Sequence, residues 1–262
     1  VTTSLPPAIA TRFEKLAIDN GFDLELPREG AWLRFASSRA PLELWLSTFG
    51  TGMLIAAFSQ LNVARALEHG VPMSAPLPPG AAAGRTVADI SELHRLVRRA
   101  FQLSRTLPDE LLRTFEAQTR ALPHSTEIER LTIQRVGQDI FRAGLLDYWD
   151  GRCAVTSLAI PELLRASHIK PWSRCDTDAE RLDVFNGLLL APSLDATFDR
   201  GFLTFGDDGR IELSADLASD AIVALALAPG MRLRRVTIGH RRYLAWHRAN
   251  VYQAASQPAV EG

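Results

Sequence analysis

The sequence predicts an α+β protein in two parts, a mixed domain of antiparallel strands and helices over residues 1–124 and a second domain over 125–262. Three observations carry this reading. Phe22 to Leu26, Trp32 to Phe35 and Leu42 to Leu46 alternate in polarity, and Met53 to Phe58 follows the turn Gly50-Thr51-Gly52, which gives a four-stranded antiparallel meander. From Asp89 onward, apolar residues recur at helical spacing. Between Leu163 and Arg200, a short run stopped by Pro171 and an apolar run opened by Asn186-Gly187 read as two strands, and Ser193 to Arg200 reads as a helix behind them.

The remaining elements follow in chain order. Pro7 to Asn20 is helical by the spacing of Ile9, Phe13, Leu16 and Ala17, and a helix is expected around Leu61 to His69. Pro72 to Arg85, rich in Pro, Gly and Ala, reads as an exposed loop. Leu93, Leu96, Val97, Ala100, Phe101 and Leu103 mark a long helix with Arg95, Arg98, Arg99 and Arg105 interleaved. Asp109 reads as the N-cap of a helix carrying Leu111, Leu112 and Phe115. Ser125-Thr126-Glu127-Ile128-Glu129 opens another, running through Ile140 and Leu145 to Tyr148, and the domain boundary falls at Leu122 to Ser125. Gly201 to Phe205 and Arg210 to Leu213 flank Gly206-Asp207-Asp208-Gly209 as a hairpin, and Tyr243 to Tyr252 forms a closing helix.

Composition narrows the classes. A net charge of −1 excludes binding of nucleic acid through bulk charge, so any phosphate contact must come from local clusters. Such clusters are Lys170, Arg174 and Arg200 within the second domain, the Arg95–Arg105 group, and Arg232, Arg234, Arg235, Arg241 and Arg242 with His240 and His247. Two cysteines, Cys153 and Cys175, do not make a disulfide framework and fit a reducing compartment. No apolar run reaches the roughly 18 residues of a membrane span, and no basic, apolar leader opens the sequence, so a cytoplasmic protein away from membranes is expected.

The chemistry-bearing residues are gathered in Ser167-His168-Ile169-Lys170-Pro171-Trp172, then Asn186-Gly187-Leu188-Leu189-Leu190, then Asp195-Ala196-Thr197-Phe198-Asp199. On a helix, Asp195 and Asp199 share a face and can close on one cation. A neutral imidazole at His168 can take a proton from water. Phe198 falls on the opposite flank and is expected in the core.

This wording resembles the HNH, or ββα-metal, endonuclease family, in the branch found among bacterial restriction-type enzymes, over residues 126–252. The resemblance implies a DNA endonuclease that hydrolyses phosphodiester bonds, with His168 as general base, Asn186 holding the loop and orienting that histidine, and Asp195 and Asp199 as metal ligands. Two positions depart from the family pattern. Asp195 stands where a histidine is usual, and Ser167 stands where an aspartate or histidine ligand is often found. An all-oxygen site favours one hard divalent ion, Mg²⁺ or Mn²⁺, over Zn²⁺. Many relatives bind a structural zinc through paired CxxC motifs, and with only Cys153 and Cys175 that zinc is not expected.

The implied partner is double-stranded DNA, modified or not. For the first domain two roles stay open: an aromatic pocket for a flipped base built from Trp32, Phe35, Trp45 and Phe58, or a dimer surface that would make the protein a homodimer. Two other functions stay open as well: a non-catalytic nucleic-acid-binding protein with a degenerate site, and an effector with non-specific nuclease activity.

Overall fold

The computed structural model describes residues 5–50, 52–73, 76–123 and 126–254. They divide into two compact units, with the division between Leu107 and Pro108, ahead of the expected 124/125.

In the first unit the order is α1 (Pro7–Asp19), β1 (Leu24–Glu29), β2 (Trp32–Ala36), β3 (Glu43–Phe49), β4 (Met53–Phe58), α2 (Leu61–Ala66), β5 (Val71–Pro72), β6 (Ala83–Val87) and α3 (Ile90–Thr106). The strands form one antiparallel sheet in the order β1-β2-β3-β4-β6-β5 among the described residues. The expected meander is its first four strands. The expected loop from Pro72 to Arg85 is a correction, because its two ends are strands. No hydrophobic alternation announces β6; Arg85 on it donates to the Ala64 and Gly70 carbonyls instead, and Leu77 packs where Gly84 lacks a side chain. A second correction concerns the aromatic pocket. Phe35, Trp45 and Phe58 are at most 2% exposed, so they are core and no base could reach them. Asp89 caps α3 by accepting from the Glu92 amide.

The second unit runs α4 (Pro108–Thr119), α5 (Glu127–Tyr148), β7 (Arg165–His168), α6 (Asp178–Arg181), β8 (Gly187–Leu190), α7 (Pro192–Asp199), β9 (Leu203–Phe205), β10 (Ile211–Leu213), α8 (Ser219–Ala224) and α9 (Ile238–Asn250). Short 3-10 turns at Trp172–Arg174 and Val184–Asn186 lie in the long connection between β7 and β8. The helix α4 belongs to this unit because it packs on α5, with Leu111 against Gly144. It begins at Pro108, so Asp109 lies in its first turn and not at the cap. Ser125 lies outside the described residues, while Thr126 and Glu129 form the reciprocal capping box that starts α5. The helix α9 starts five residues before Tyr243.

β7 and β8 pair antiparallel, with Arg165 opposite Leu190, Ser167 opposite Leu188 and His168 opposite Gly187. All four residues of β8 are buried, which accounts for its unbroken apolar run. Pro192 pre-sets the first turn of α7, and Phe198 is fully buried as expected. The hairpin of β9 and β10 forms where the turn residues predicted it. No helix among the described residues is long and apolar enough to cross a membrane.

Helix α5 passes close under the start of β8. A Cβ on Gly187 would lie 2.5 Å from the Phe141 ring and 2.7 Å from Leu145. Gly187→Ala is therefore expected to destabilise by about 1–3 kcal/mol through overpacking, whereas Gly230→Ala, with open space around it, serves as a control. Denaturant titration checks this, and an unchanged midpoint for Gly187→Ala would contradict the close approach of α5.

Candidate active site

His168 ends β7, and its ring lies flat on Phe141 of α5 with centroids 3.8 Å apart, edged by Trp172 at 5.5 Å. Trp172 is itself seated on α5, in the space left by Gly137. The Nε2 atom of His168 lies 2.8 Å from the Arg181 carbonyl oxygen. That carbonyl ends the single turn of α6 and has no partner within the helix. A carbonyl only accepts, so Nε2 carries the proton and Nδ1 is the unprotonated nitrogen. Burial pushes the imidazole down to about 4, opposed by the hydrogen bond to Arg181, so the ring is neutral at physiological pH.

Asn186 is fully buried and clasps the β7–β8 connection from within. Its Oδ1 accepts from the Lys170 amide at 2.8 Å, and its Nδ2 faces the Lys170 and Glu180 carbonyls and Cys175 Sγ at 3.1–3.3 Å. Glu180 directly precedes Arg181, so the asparagine holds the turn whose next carbonyl fixes the histidine.

Asp195 and Asp199 lie one turn apart on α7. The Ser167 hydroxyl donates to Asp199 Oδ1 at 3.0 Å and also acts on Asp195. Desolvation raises the proton affinity of both carboxylates, and the neighbouring negative charge of Asp195 raises that of Asp199 further. Among the described residues no group of three or more His, Cys, Asp or Glu is assembled for a metal. The donor set here is two carboxylates and a hydroxyl, all oxygen, with crowded negative charge; it suits a hard cation that takes its other ligands from water and phosphate.

Successive strand residues point to opposite faces, so His168 does not face the aspartates directly. A cavity of about 360 Å³ at the end of β7 nevertheless has Ser167, His168, Trp172 and Asp199 in its wall, together with His247 and Val251. Asp195 and Asn186 are not part of that wall.

The cations depart from expectation. Lys170 is buried, and its ammonium is held by Glu180 and Asp176 at 3.0 Å, so its charge is already balanced within the fold. Arg174 and Arg200 are exposed, and Arg200 lies close enough to lower Asp199 slightly. The C-terminal group is largely structural: Arg234 and Arg235 donate to the last carbonyls around α5, and Arg242 binds the buried Asp183. Of the bunch in α3, Arg99 is buried. Cys153 and Cys175 are free buried thiols; Cys153 Sγ accepts from the Val155 and Thr156 amides.

Several site contributions carried no specific sequence signal, although Trp172 lies in the motif segment and His247 in the C-terminal basic group. Phe141 and Trp172 look like ordinary core positions, the Arg181 contribution is a backbone atom, and His247 sits 79 positions from His168. His247 stacks on Phe198 at 3.9 Å, donates from Nε2 to the Phe198 carbonyl and bonds Thr204 through Nδ1.

Burial holds His247 as well as His168 near 4, against an ordinary 6.5. In that interval the unfolded chain binds more protons than the folded one. The stability these rings contribute is therefore complete above about pH 6.5 and lost as the pH falls to about 4. Thermal unfolding midpoints should fall across that interval, and the fall should be shallower in His247→Gln, by about 3 kcal/mol at most. Equal slopes in both proteins would contradict a neutral, buried His247.

No curated protein matches the chain at a significant level. Residues 153–206, the stretch that contains β7, Asn186, β8 and α7, match a family model described as HNH endonuclease, so this part of the second unit is similar to that family.

Proposed function

We propose that the second unit is a metal-dependent DNA endonuclease of restriction or defence type that hydrolyses phosphodiester bonds. The observation that carries the reading is the His168 ring, fixed through Nε2 with Nδ1 left unprotonated, in the wall of the cavity that also holds Asp199 and Ser167. His168 acts as general base: Nδ1 takes the proton of the attacking water, while the Arg181 carbonyl holds the tautomer. Asn186 is a positioning residue, because its amide holds the Glu180–Arg181 turn. Phe141 and Trp172 keep the ring from rotating. Asp195 and Asp199 would hold one divalent ion, Mg²⁺ or Mn²⁺, with the Ser167 hydroxyl keeping the carboxylates turned to one place. That ion, when bound, supplies charge stabilisation at the phosphate and the leaving oxygen.

A second reading, a nucleic-acid-binding protein that does not cut, is favoured by the small donor set of two carboxylates. Incubation with plasmid in Mg²⁺, Mn²⁺ or EDTA separates the two, and methylated plasmid and RNA as substrates test restriction type against a non-specific nuclease.

His168→Ala is expected to lose at least about 10²-fold in cleavage rate while keeping DNA binding. Full activity in that variant would remove His168 as the base. Asp199→Asn relieves the like-charge crowding with Asp195, so in EDTA it should unfold at a higher temperature than the parent. The same variant should lose cleavage and the rise in unfolding midpoint that Mg²⁺ or Mn²⁺ gives the parent. A metal-induced rise that survives Asp199→Asn would place the ion elsewhere.

A further inference from the structure

Among the cations of the second unit, Arg165 has a position that follows from strand register. Ser167 turns its hydroxyl to Asp199 on α7, and residues two apart on a strand share a face, so Arg165 lies on the α7 side of β7. It pairs with Leu190, the last residue of β8, two positions before α7 begins with Asp195 in its first turn. Arg165 therefore stands at the Asp195 end of the oxygen cluster, and His168 stands past Ser167 at the other end. A rise of about 3.3 Å per residue separates Arg165 from Ser167 by roughly 7 Å along the strand, comparable with the separation of neighbouring phosphates on one nucleic-acid strand.

The side chain is exposed and makes no hydrogen bond or ion pair among the described residues. Its charge still reaches Asp195, whose proton affinity it lowers. Three neighbouring cations are engaged otherwise, Lys170 with Glu180 and Asp176, Arg181 with Asp178, and Arg142 with the Leu164 and Pro161 carbonyls, while Arg200 is exposed beside Asp199 at the far end of α7. A guanidinium near Asp195 and paired with no carboxylate among the described residues is suited to an anion that lies across the same edge. Its planar fork matches phosphate oxygens in a bidentate way.

We propose that Arg165 binds the phosphate of double-stranded DNA that neighbours the scissile one on the Asp195 side, so that the cut strand runs along β7 from His168 to Arg165. The proposal rests on the nuclease reading given above. Arg165 positions substrate and takes no part in the bond-breaking step.

The test combines two measurements on the full chain: anisotropy of a labelled DNA duplex in EDTA over a range of salt, and steady-state cleavage with Mg²⁺ or Mn²⁺. Arg165→Gln is expected to reduce the slope of log affinity against log salt by about one. It should raise KM about tenfold and leave kcat within about threefold, since the contact is made equally in ground and transition states. Arg165→Lys should restore the slope but only part of the KM, because the fork is lost. Arg210→Gln, which removes an exposed arginine paired with Asp208, should change neither. A parental slope and KM in Arg165→Gln would overturn the proposal while parental cleavage left the nuclease reading standing. A fall in kcat at unchanged KM would also overturn it. A parent that neither binds nor cuts the duplex would remove the nuclease reading and this proposal together. Should Arg165→Gln fail to fold, Arg165→Lys decides, and a parental KM in that variant overturns the assignment.

Discussion

The buried carboxamide of Asn186 governs the geometry of the site. The connection between β7 and β8 contains only one helical turn and two 3-10 turns, too little regular structure to fix its own shape. Asn186 sits inside it and satisfies backbone groups at both ends, at Lys170 and at Glu180. A buried amide that meets several partners is rigid, because breaking any of them strands a polar group without water. From that clasp the Arg181 carbonyl acquires a fixed direction, and from the carbonyl the imidazole acquires its tautomer. The Lys170 ammonium, between Asp176 and Glu180, braces the same turn from its charged side.

The carboxylate pair works against this rigidity. Asp195 and Asp199 are both harder to ionise than isolated aspartates, through desolvation at both and, at Asp199, through the neighbouring charge of Asp195. Ser167 relieves part of this with one hydroxyl proton. Local destabilisation of this kind is what a cation or a phosphate-bound cation would remove, and groups with such shifts concentrate where proteins act rather than where they only fold. The fold tolerates it because α7 is anchored through Phe198 and Leu194, on the flank away from the charges.

Periodicity made much of the fold legible. The meander, α1, α3, α5, α7 and the β9–β10 hairpin all carry apolar spacing or turn residues that specify one structure. What escaped had another origin. β5 and β6 are held by Arg85 and by a glycine contact, neither of which produces a pattern. The division between units falls ahead of the expected boundary because α4 packs on α5, a tertiary choice that local sequence does not record. For the candidate site, residue types and spacing singled out His168, Asn186, Asp195 and Asp199 as proposals, whereas charge alone did not reveal that Lys170 and most of the C-terminal arginines are engaged within the fold. A lysine beside a motif has the same sequence appearance whether it meets solvent or two carboxylates, and only the folded loop distinguishes the cases.

The two imidazoles of the cavity differ in one respect that bears on the role proposed for His168. Both lie flat on a phenylalanine, at 3.8 Å for His168 on Phe141 and 3.9 Å for His247 on Phe198. Both bond a backbone carbonyl through Nε2, and burial holds both near 4. Depressed proton affinity and aromatic packing therefore cannot tell them apart. The second nitrogen can. In His247 it is closed by Thr204, so the ring is fully satisfied and ties α9 to β9 and α7. In His168 no described residue bonds Nδ1, and the same ring architecture is left with an unprotonated, unfilled nitrogen on a ring in the cavity wall. A neutral imidazole needs an open acceptor to move a proton, and that single unfilled position, rather than any difference in burial or stacking, is the physical basis for proposing His168 as the base.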